Sequence, residues 1–153
     1  MGSVIPSLLV IWALAVAGYD LRQRRVPNLL LLVVAVPAVL SFGVFRQGLL
    51  GMGGGSSLLG LVVCALPYLP GYIWGKVGAG DVKFAGLQGF LLGGVGAFKA
   101  FIVSAVALGL IAVFAALAKS DRVHASRLPA AVALAVGFLW VVLGGYLLSG
   151  WGL

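Results

Sequence analysis

The chain alternates between long apolar segments and short polar connections. Most of these segments are nearly continuous runs of apolar residues, as in helices that face lipid or a fully buried core. A helix needs about 20 mostly apolar residues to span a bilayer. Six segments approach this length or can pack as shorter helices, with ends predicted to within a few residues: Val4–Tyr19, Val26–Phe45, Ser56–Trp74, Val82–Gly94, Ala97–Ala118 and Leu128–Ser149.

The six segments predict an all-α fold, a polytopic transmembrane bundle of about six spanning helices. Each segment should be helical because unsatisfied backbone groups are costly in lipid. Pro67 and Pro70 predict a kink in the third segment. The Gly51–Ser57 stretch, Gly-Met-Gly-Gly-Gly-Ser-Ser, predicts a flexible connector. Residues 1–153 are expected to form a single membrane-embedded domain.

Composition supports a membrane protein. The chain is 63% hydrophobic and 8% charged, with a mean hydropathy of +1.22, whereas about a quarter of the residues in a soluble domain are charged. The net charge of +7 does not indicate nucleic acid, because the basic residues are scattered in short loops, where they would meet anionic lipid. Cys64 is the only cysteine, which excludes an internal disulfide and a multi-cysteine zinc site. No metal or cofactor is expected.

The distribution of positive charge predicts the orientation in the membrane. Lys and Arg accumulate in cytoplasmic loops. With the N-terminus outside, only Arg46 and Lys99 would face outward. The other eight would face the cytoplasm: Arg22, Arg24, Arg25, Lys76, Lys83, Lys119, Arg122 and Arg127. The first segment does not resemble a cleaved signal peptide, because its positive charge follows the apolar run instead of preceding it.

Carboxylates are rare in this chain. The only acidic residues are Asp20, which closes the first apolar run, Asp81, which opens the fourth, and Asp121. If the segments cross the membrane alternately, Asp20 and Asp81 lie at the same cytoplasmic face. Asp81 could be a simple helix cap, but Asp20 would lie at the unfavourable end of the helix dipole. An ionisable residue in a membrane segment indicates function by default, so these two form a candidate site.

Two carboxylates within a few ångströms of each other share a proton. One can then act as general base on a water molecule while the other acts as general acid toward a carbonyl oxygen. This is the chemistry of aspartic proteolysis, which needs neither a metal nor a covalent intermediate. Asp121 and His124 are predicted to be solvated residues of an inner loop.

Two motifs contain these aspartates. Asp20-Leu-Arg-Gln-Arg-Arg-Val-Pro27-Asn28 and Gly78-Ala-Gly-Asp81-Val-Lys83 resemble the two motifs of the type IV prepilin peptidases, which are GxGD-type membrane aspartic proteases. The order and spacing of the motifs and the six-helix layout are also similar. The Arg127-Leu-Pro129-Ala-Ala stretch resembles the family less specifically.

The resemblance implies a function and a set of site residues. Asp20 and Asp81 would be the catalytic pair, supported by the motif residues Pro27, Asn28, Gly78, Gly80 and Lys83. The family cleaves the basic leader of prepilin-like membrane proteins on the cytoplasmic side, just before the substrate's apolar helix. The expected location is therefore the inner membrane, with a multi-pass chain whose site faces the cytoplasm.

Larger members of that family differ from this chain. They carry a cytoplasmic insertion with a four-cysteine zinc motif and also methylate the new N-terminus. The loop after Asp20 is too short for the insertion, and the cysteines are missing. The chain therefore resembles the short members found with Flp/Tad-type pili, for which the resemblance does not imply methylation.

Several polar residues near the motifs have ordinary structural interpretations. The arginines after Asp20 are positive-inside anchors, and Pro27 is typical of a first helical position. Asn28 is expected to cap a helix or to bond the chain near Asp20, and Lys83 to meet lipid phosphate or tune the site. Gln88, seven residues after Asp81 and near the same helix face, is expected to make a helix–helix hydrogen bond.

Three other functions remain open at this point. Another GxGD protease of the presenilin or signal-peptide-peptidase kind would share Tyr19-Asp20, although Pro129-Ala130-Ala131 departs from their Pro-Ala-Leu motif. A small ion-coupled transporter would place its carboxylates near the midplane on broken helices. A structural membrane subunit would use Asp20 and Asp81 only as caps, which leaves the two motifs unexplained.

Overall fold

The computed structural model describes residues 4–23, 26–75, 77–117 and 130–148. This part of the chain is helical apart from short connections and one isolated bridge between Gln47 and Gly53, which confirms the predicted all-α class. The helices are α1 Val4–Gln23, α2 Asn28–Phe45, α3 Gly54–Ala65, α4 Tyr68–Ile73, α5 Ala79–Leu117 and α6 Ala130–Leu148. The predictions for Asp121, His124 and residues 127–129 concern residues that lie outside the described ranges. Ala130 and Ala131, which end the Arg127–Ala131 stretch, begin α6.

Helix α1 continues beyond the apolar run that predicted it. The run ends at Asp20, but the helix continues at least to Gln23. Asp20 therefore lies within the helix, although still in the last turn of its described part. One stripe of α1 is buried against the rest of the bundle: Leu9, Trp12, Ala13, Val16 and Asp20. Asp20 is the only polar member of this stripe.

The third predicted segment divides into two helices. Helix α3 ends at Ala65 and α4 begins at Tyr68, so the predicted kink falls at Pro67 and is confirmed. The predicted flexible connector is wrong at its C-terminal end, because Gly54 already begins α3 and Ser57 is fully buried. The small residues there permit close helix packing instead of flexibility.

Helix α5 consists of two arms that double back on each other at Gly93. This residue has φ 69° and ψ 173°, which is not helical. Adjacent residues of α3 contact both arms: Cys64 Sγ donates a hydrogen bond to the Ala97 carbonyl at 3.4 Å, and Ala65 Cβ lies 3.5 Å from the position of a Cβ at Gly86. A straight helix would separate positions 86 and 97 by about 16 Å. The arms 79–92 and 94–117 are therefore antiparallel, as the separate fourth and fifth segments predicted.

Glycines allow α3 and the first arm of α5 to approach closely. A Cβ atom at Gly60 would overlap the carbonyl oxygen of Gly89, and one at Gly89 would overlap that of Gly60. Small residues at such crossings are typical of helix packing in membranes. Near the reversal, the N–H of Gly94 donates a hydrogen bond to Ser56 Oγ at 3.1 Å, which fixes the second arm to α3.

The bundle exposes a mainly apolar surface, and a few polar side chains are buried in its interior. Large hydrophobic side chains such as Leu8, Ile11 and Leu29 are well exposed, as expected of a lipid-facing surface. Among the residues that the structure describes, three helices are long and apolar enough to cross a membrane, and the longest of them contains the reversal at Gly93: Val4–Gln23, Asn28–Phe45 and Ala79–Phe114. These features support a membrane protein. Six crossings and an outside N-terminus remain predictions.

Candidate active site

The two sequence motifs meet at one end of the bundle, here called the motif end and formed by the described residues 20–23, 26–28 and 77–83. The two motifs pack closely against each other at Gly80 and Val26. A Cβ at Gly80 would lie 2.9 Å from Val26 Cβ and 3.1 Å from the Val26 carbonyl oxygen. Only glycine fits this position without movement, which gives a physical reason for the second glycine of Gly78-Ala79-Gly80.

A second contact between the motifs is polar. The ammonium group of Lys83 donates a hydrogen bond to Asn28 Oδ1 at 3.4 Å. Both side chains are exposed, so the bond contributes little to stability by itself. It joins the start of α2 to the first turns of α5. Asn28 therefore contacts the second motif. Pro27, expected at the first helical position, instead has extended φ and ψ of −70° and 130° and immediately precedes α2.

Asp81 has a structural role in addition to its candidate chemical one. It is the third residue of α5, and its Oδ2 accepts a hydrogen bond at 3.2 Å from the backbone N–H of Gly78. This is half of a capping box, in which the side chain at the third helical position bonds the N–H just before the helix. The structure therefore confirms that Asp81 caps the start of α5. A carboxylate can accept several hydrogen bonds at once, so a capping bond and a chemical role are compatible.

Asp20 lies on the buried stripe of α1 with only 4% of its surface exposed. Burying a carboxylate among apolar helices is costly unless it is compensated. Trp12 of the same stripe contacts Phe84, three residues after Asp81, at a ring separation of 5.3 Å. Helix α1 therefore runs beside the first arm of α5, and Asp20 and Asp81 lie toward the same end of these two helices.

Trp12 is a residue that the sequence analysis missed. Its indole N–H donates a hydrogen bond to the Leu30 carbonyl at 2.7 Å, and its ring packs edge-to-face on Phe84 and Phe138. One side chain thus joins α1 to α2, α5 and α6 directly beneath the motif end. The available signal was a tryptophan within an apolar run, two helical turns before Asp20. By itself that pattern also fits a lipid-facing residue.

Tyr68 was also missed. Its ring is buried and packs edge-to-face on Phe101 of the second arm of α5, at a ring separation of 6.3 Å. In the sequence it lies between Pro67 and Pro70, where the break between α3 and α4 turns it inward. The apolar pattern of that segment gave no reason to single it out.

Gln88 is fully buried, but it does not make the predicted bond through its amide nitrogen. Only 1% of its surface is exposed, and Nε2 has no hydrogen-bond partner among the described residues. An unpaired buried donor costs roughly 1–3 kcal/mol. The structure therefore shows no helix–helix hydrogen bond from this nitrogen, which is half of the hydrogen-bonding capacity expected of Gln88.

The described residues contain no group of three or more His, Cys, Asp or Glu side chains that could hold a metal ion. The described polar side chains at the motif end include two carboxyl groups, two basic groups and two amides, beside the backbone amides: Asp20, Arg22, Gln23, Asn28, Asp81 and Lys83. Such a set can bind a peptide and move protons, because carboxyl groups both accept and donate them.

Comparison with known proteins identifies the family. The model of the type IV leader peptidase family matches residues 7–120, about three quarters of the chain, and this range includes both motifs. Searches of the curated proteins and of the solved structures gave no significant match. The family match agrees with the resemblance carried by Asp20, Asp81 and their flanking residues, and the chain belongs to the type IV leader peptidase family.

Proposed function

We propose that this protein is a membrane aspartic endopeptidase that removes the leader peptide of prepilin-like substrates on the cytoplasmic side of the membrane. Asp20 and Asp81 would activate the attacking water. The observation that carries this proposal is the contact between Gly80 and Val26, which joins the two motifs within a chain of the leader peptidase family. Without that contact the two aspartates would belong to separate parts of the bundle.

The proposed reaction needs one carboxylate and one carboxylic acid. The carboxylate takes a proton from water as the water oxygen attacks the peptide carbonyl carbon, and the carboxylic acid gives its proton to the carbonyl oxygen. The resulting tetrahedral diol collapses when the C–N bond breaks. The leaving nitrogen takes the proton that the general base received from water, and the other carboxylate takes a proton from the diol. The products are a carboxylic acid and a free amine, and both aspartates return to their starting protonation states. Neither step needs a metal or a covalent enzyme intermediate.

The short first arm of α5 supports a site near the membrane boundary. Residues 79–92 span about 21 Å at 1.5 Å per residue, whereas the hydrocarbon core is about 30 Å thick. A helix of this length either thins the bilayer or begins below its surface. Either arrangement brings Asp81 to the depth at which the apolar helix of a substrate would begin.

The charge distribution supports a cytoplasmic site. The motif end includes the exposed Arg22 and Lys83, and positively charged loops favour the cytoplasm. Only four residues separate α1 from α2, which leaves no room there for the zinc-binding insertion of larger relatives. We therefore assign the chain to the short, Flp/Tad-type members. This assignment is part of the proposal.

Co-expression with a prepilin bearing a basic leader tests the catalytic pair. Wild-type membranes should convert the precursor to the shorter mature form, and Asp20→Asn and Asp81→Asn should each abolish conversion while the protein remains in the membrane. Asp121→Asn is the matched control, because it removes the third acidic residue of the chain. Unchanged processing in either of the first two variants contradicts the assignment of the pair.

The orientation can be tested separately with a single cysteine. In a Cys64→Ala background, Gln23→Cys introduces a thiol at the exposed end of α1. A membrane-impermeant maleimide should label it in inverted vesicles and not in right-side-out vesicles. The opposite result would place the motif end outside the cytoplasm and would contradict the proposed cleavage side without affecting the chemistry.

A further inference from the structure

The Nε2 atom of Gln88 has no hydrogen-bond partner among the described residues. It belongs to the first arm of α5, along which a substrate bound at Asp81 would extend into the bundle. Gln88 follows Asp81 by seven residues, two helical turns, which places it near the same helix face and about 10.5 Å deeper along the helix axis. Phe84, one turn before Gln88, faces Trp12 of α1. The stripe that carries Asp81, Phe84 and Gln88 is therefore directed toward α1, the helix that carries Asp20.

A buried donor without a partner is unusual and needs a physical reason. Ser57 and Ser104 also have buried side-chain oxygens without partners among the described residues. A serine in a helix can turn its hydroxyl to a carbonyl of its own preceding turn with little movement. The amide group of Gln88 is longer and carries two N–H donors, so a local rotation cannot satisfy it as simply.

A substrate cleaved at the end of an apolar helix exposes backbone carbonyl groups that can accept a hydrogen bond from Gln88. A protease needs its substrate extended around the cleaved bond, and unwinding a helix within an apolar bundle leaves carbonyl oxygens without partners. Each such carbonyl raises the cost of binding unless the enzyme supplies a donor. Resting on the proposed function, we infer that the Gln88 side-chain amide binds a main-chain carbonyl of the unwound substrate segment just after the cleaved bond.

The distance between Asp81 and Gln88 along the helix axis predicts which carbonyl of the substrate Gln88 binds. An extended chain advances about 3.3 Å per residue, so 10.5 Å corresponds to about three residues beyond the cleaved bond. The chemical class of the ligand is thus a backbone carbonyl near the third residue of the mature substrate, and recognition there is independent of side-chain identity. Gln88 is a binding and positioning residue, because it does not touch the reacting atoms.

The packing of the bundle leaves a route to this group. Helix α5 packs most extensively on α3 and α6, whereas α1 meets the first arm chiefly through the Trp12 ring against Phe84. We expect the substrate to enter between α1 and α5 at this contact, which is separate from the glycine crossing between Gly60 and Gly89.

The test compares activity and stability in the same variants. Gln88→Met retains length and volume but removes the donor, and Gln88→Leu is a second variant in case the first packs badly. We expect kcat/KM for a purified substrate to fall about tenfold, the effect of one lost hydrogen bond. The melting temperature should remain equal or rise, because an unpaired buried polar group has been removed. Ser57→Ala, which removes another unpaired buried group far from the motif end, should leave kcat/KM unchanged.

A modified substrate identifies the carbonyl itself. Replacing the amide between the third and fourth mature residues by an ester weakens that carbonyl as an acceptor. The ester should lower kcat/KM in wild type and have no further effect in Gln88→Met, while an ester four residues deeper should affect both enzymes equally. Additive losses, or wild-type kinetics in Gln88→Met, overturn the inference. A fall in activity that follows a fall in melting temperature also overturns it, because it indicates a structural role. If wild type cleaves no prepilin, the proposed function itself fails.

Discussion

Gly80 and Val26 pack against each other with no room for a side chain at position 80, although they belong to different motifs and different parts of the sequence. Val26 lies in the short connection between α1 and α2, and Gly80 is the second residue of α5. Asp20 precedes Val26 by six residues, and Asp81 directly follows Gly80. The distance between the two chain segments at this contact should therefore affect the distance between the two carboxyl groups.

Gly80→Ala is expected to reduce activity more than stability. The added Cβ must displace Val26, whose own Cβ would lie 2.9 Å away. Misplacement of catalytic groups by about 1 Å can cost on the order of 100-fold in rate, so we expect kcat to fall between about 10- and 100-fold. The measurement is prepilin cleavage by purified enzyme in detergent.

The matched control is Gly86→Ala on the same arm, where the nearest atoms to the added Cβ are at 3.5 Å and 3.8 Å. It should keep full activity, and it should gain up to about 1 kcal/mol from the better helix propensity of alanine. Equal kinetics for the two variants would show that the contact between Gly80 and Val26 does not control catalysis.

Substitutions of Asp81 should separate its capping role from its catalytic one. Asparagine retains an oxygen that can accept the hydrogen bond from the Gly78 N–H, whereas alanine does not. We expect Asp81→Ala to lose about 1 kcal/mol of stability relative to Asp81→Asn. Both should be inactive. Thermal unfolding in detergent, measured beside cleavage, distinguishes the two losses, and a stable alanine variant would mean that the bond to Gly78 adds nothing to the fold.

Trp12→Phe is expected to lower kcat with little change in KM. Phenylalanine can retain part of the edge-to-face packing on Phe84 and Phe138, but it cannot donate to the Leu30 carbonyl. The loss of one hydrogen bond destabilises the protein by about 1 kcal/mol, and the larger effect should be the altered spacing of α1 and α5. Trp140→Phe is the control, since Trp140 is exposed on α6. The same kinetic change in both variants would contradict a specific role for Trp12.

Gly93→Ala is expected to destabilise the hairpin of α5. The residue has a φ of +69°, which costs an L-amino acid roughly 1–3 kcal/mol when it is held in an unfavourable region. The added Cβ would also lie 2.6 Å from Ser56 Oγ. Gly94→Ala is the natural comparison, because its nearest neighbour would be at 3.6 Å and its φ is not positive. A similar melting temperature for both variants would contradict this account of the turn.

Much of the architecture could be predicted because a membrane imposes few choices. Apolar runs must be helical in lipid, so α1, α2 and α6 follow from hydropathy alone. Alternation of the segments placed Asp20 and Asp81 at one face, and the contacts between Val26 and Gly80 and between Asn28 and Lys83 now join their motifs there.

The missed features depend on packing, which hydropathy does not encode. Gly54 and Ser57 were assigned to a flexible connector because glycine and serine favour flexibility in water, whereas in this bundle small residues bring α3 against α5. Trp12 and Tyr68 look like ordinary apolar residues until their partners are known. The absent partner of Gln88 Nε2 could not be foreseen either, since helical spacing gives the face of a residue and not its bonds.

The reversal at Gly93 has a consequence for how the protein enters the membrane. Both ends of the Ala79–Leu117 segment emerge on the same side of the bundle, because its arms are antiparallel. If both arms cross the membrane, as the six predicted segments require, this segment would insert as one helical hairpin, and only the turn and the nearby Lys99 would pass through the bilayer. Gly93, which reverses the direction of α5, would then also determine which part of the nascent chain is translocated across the membrane.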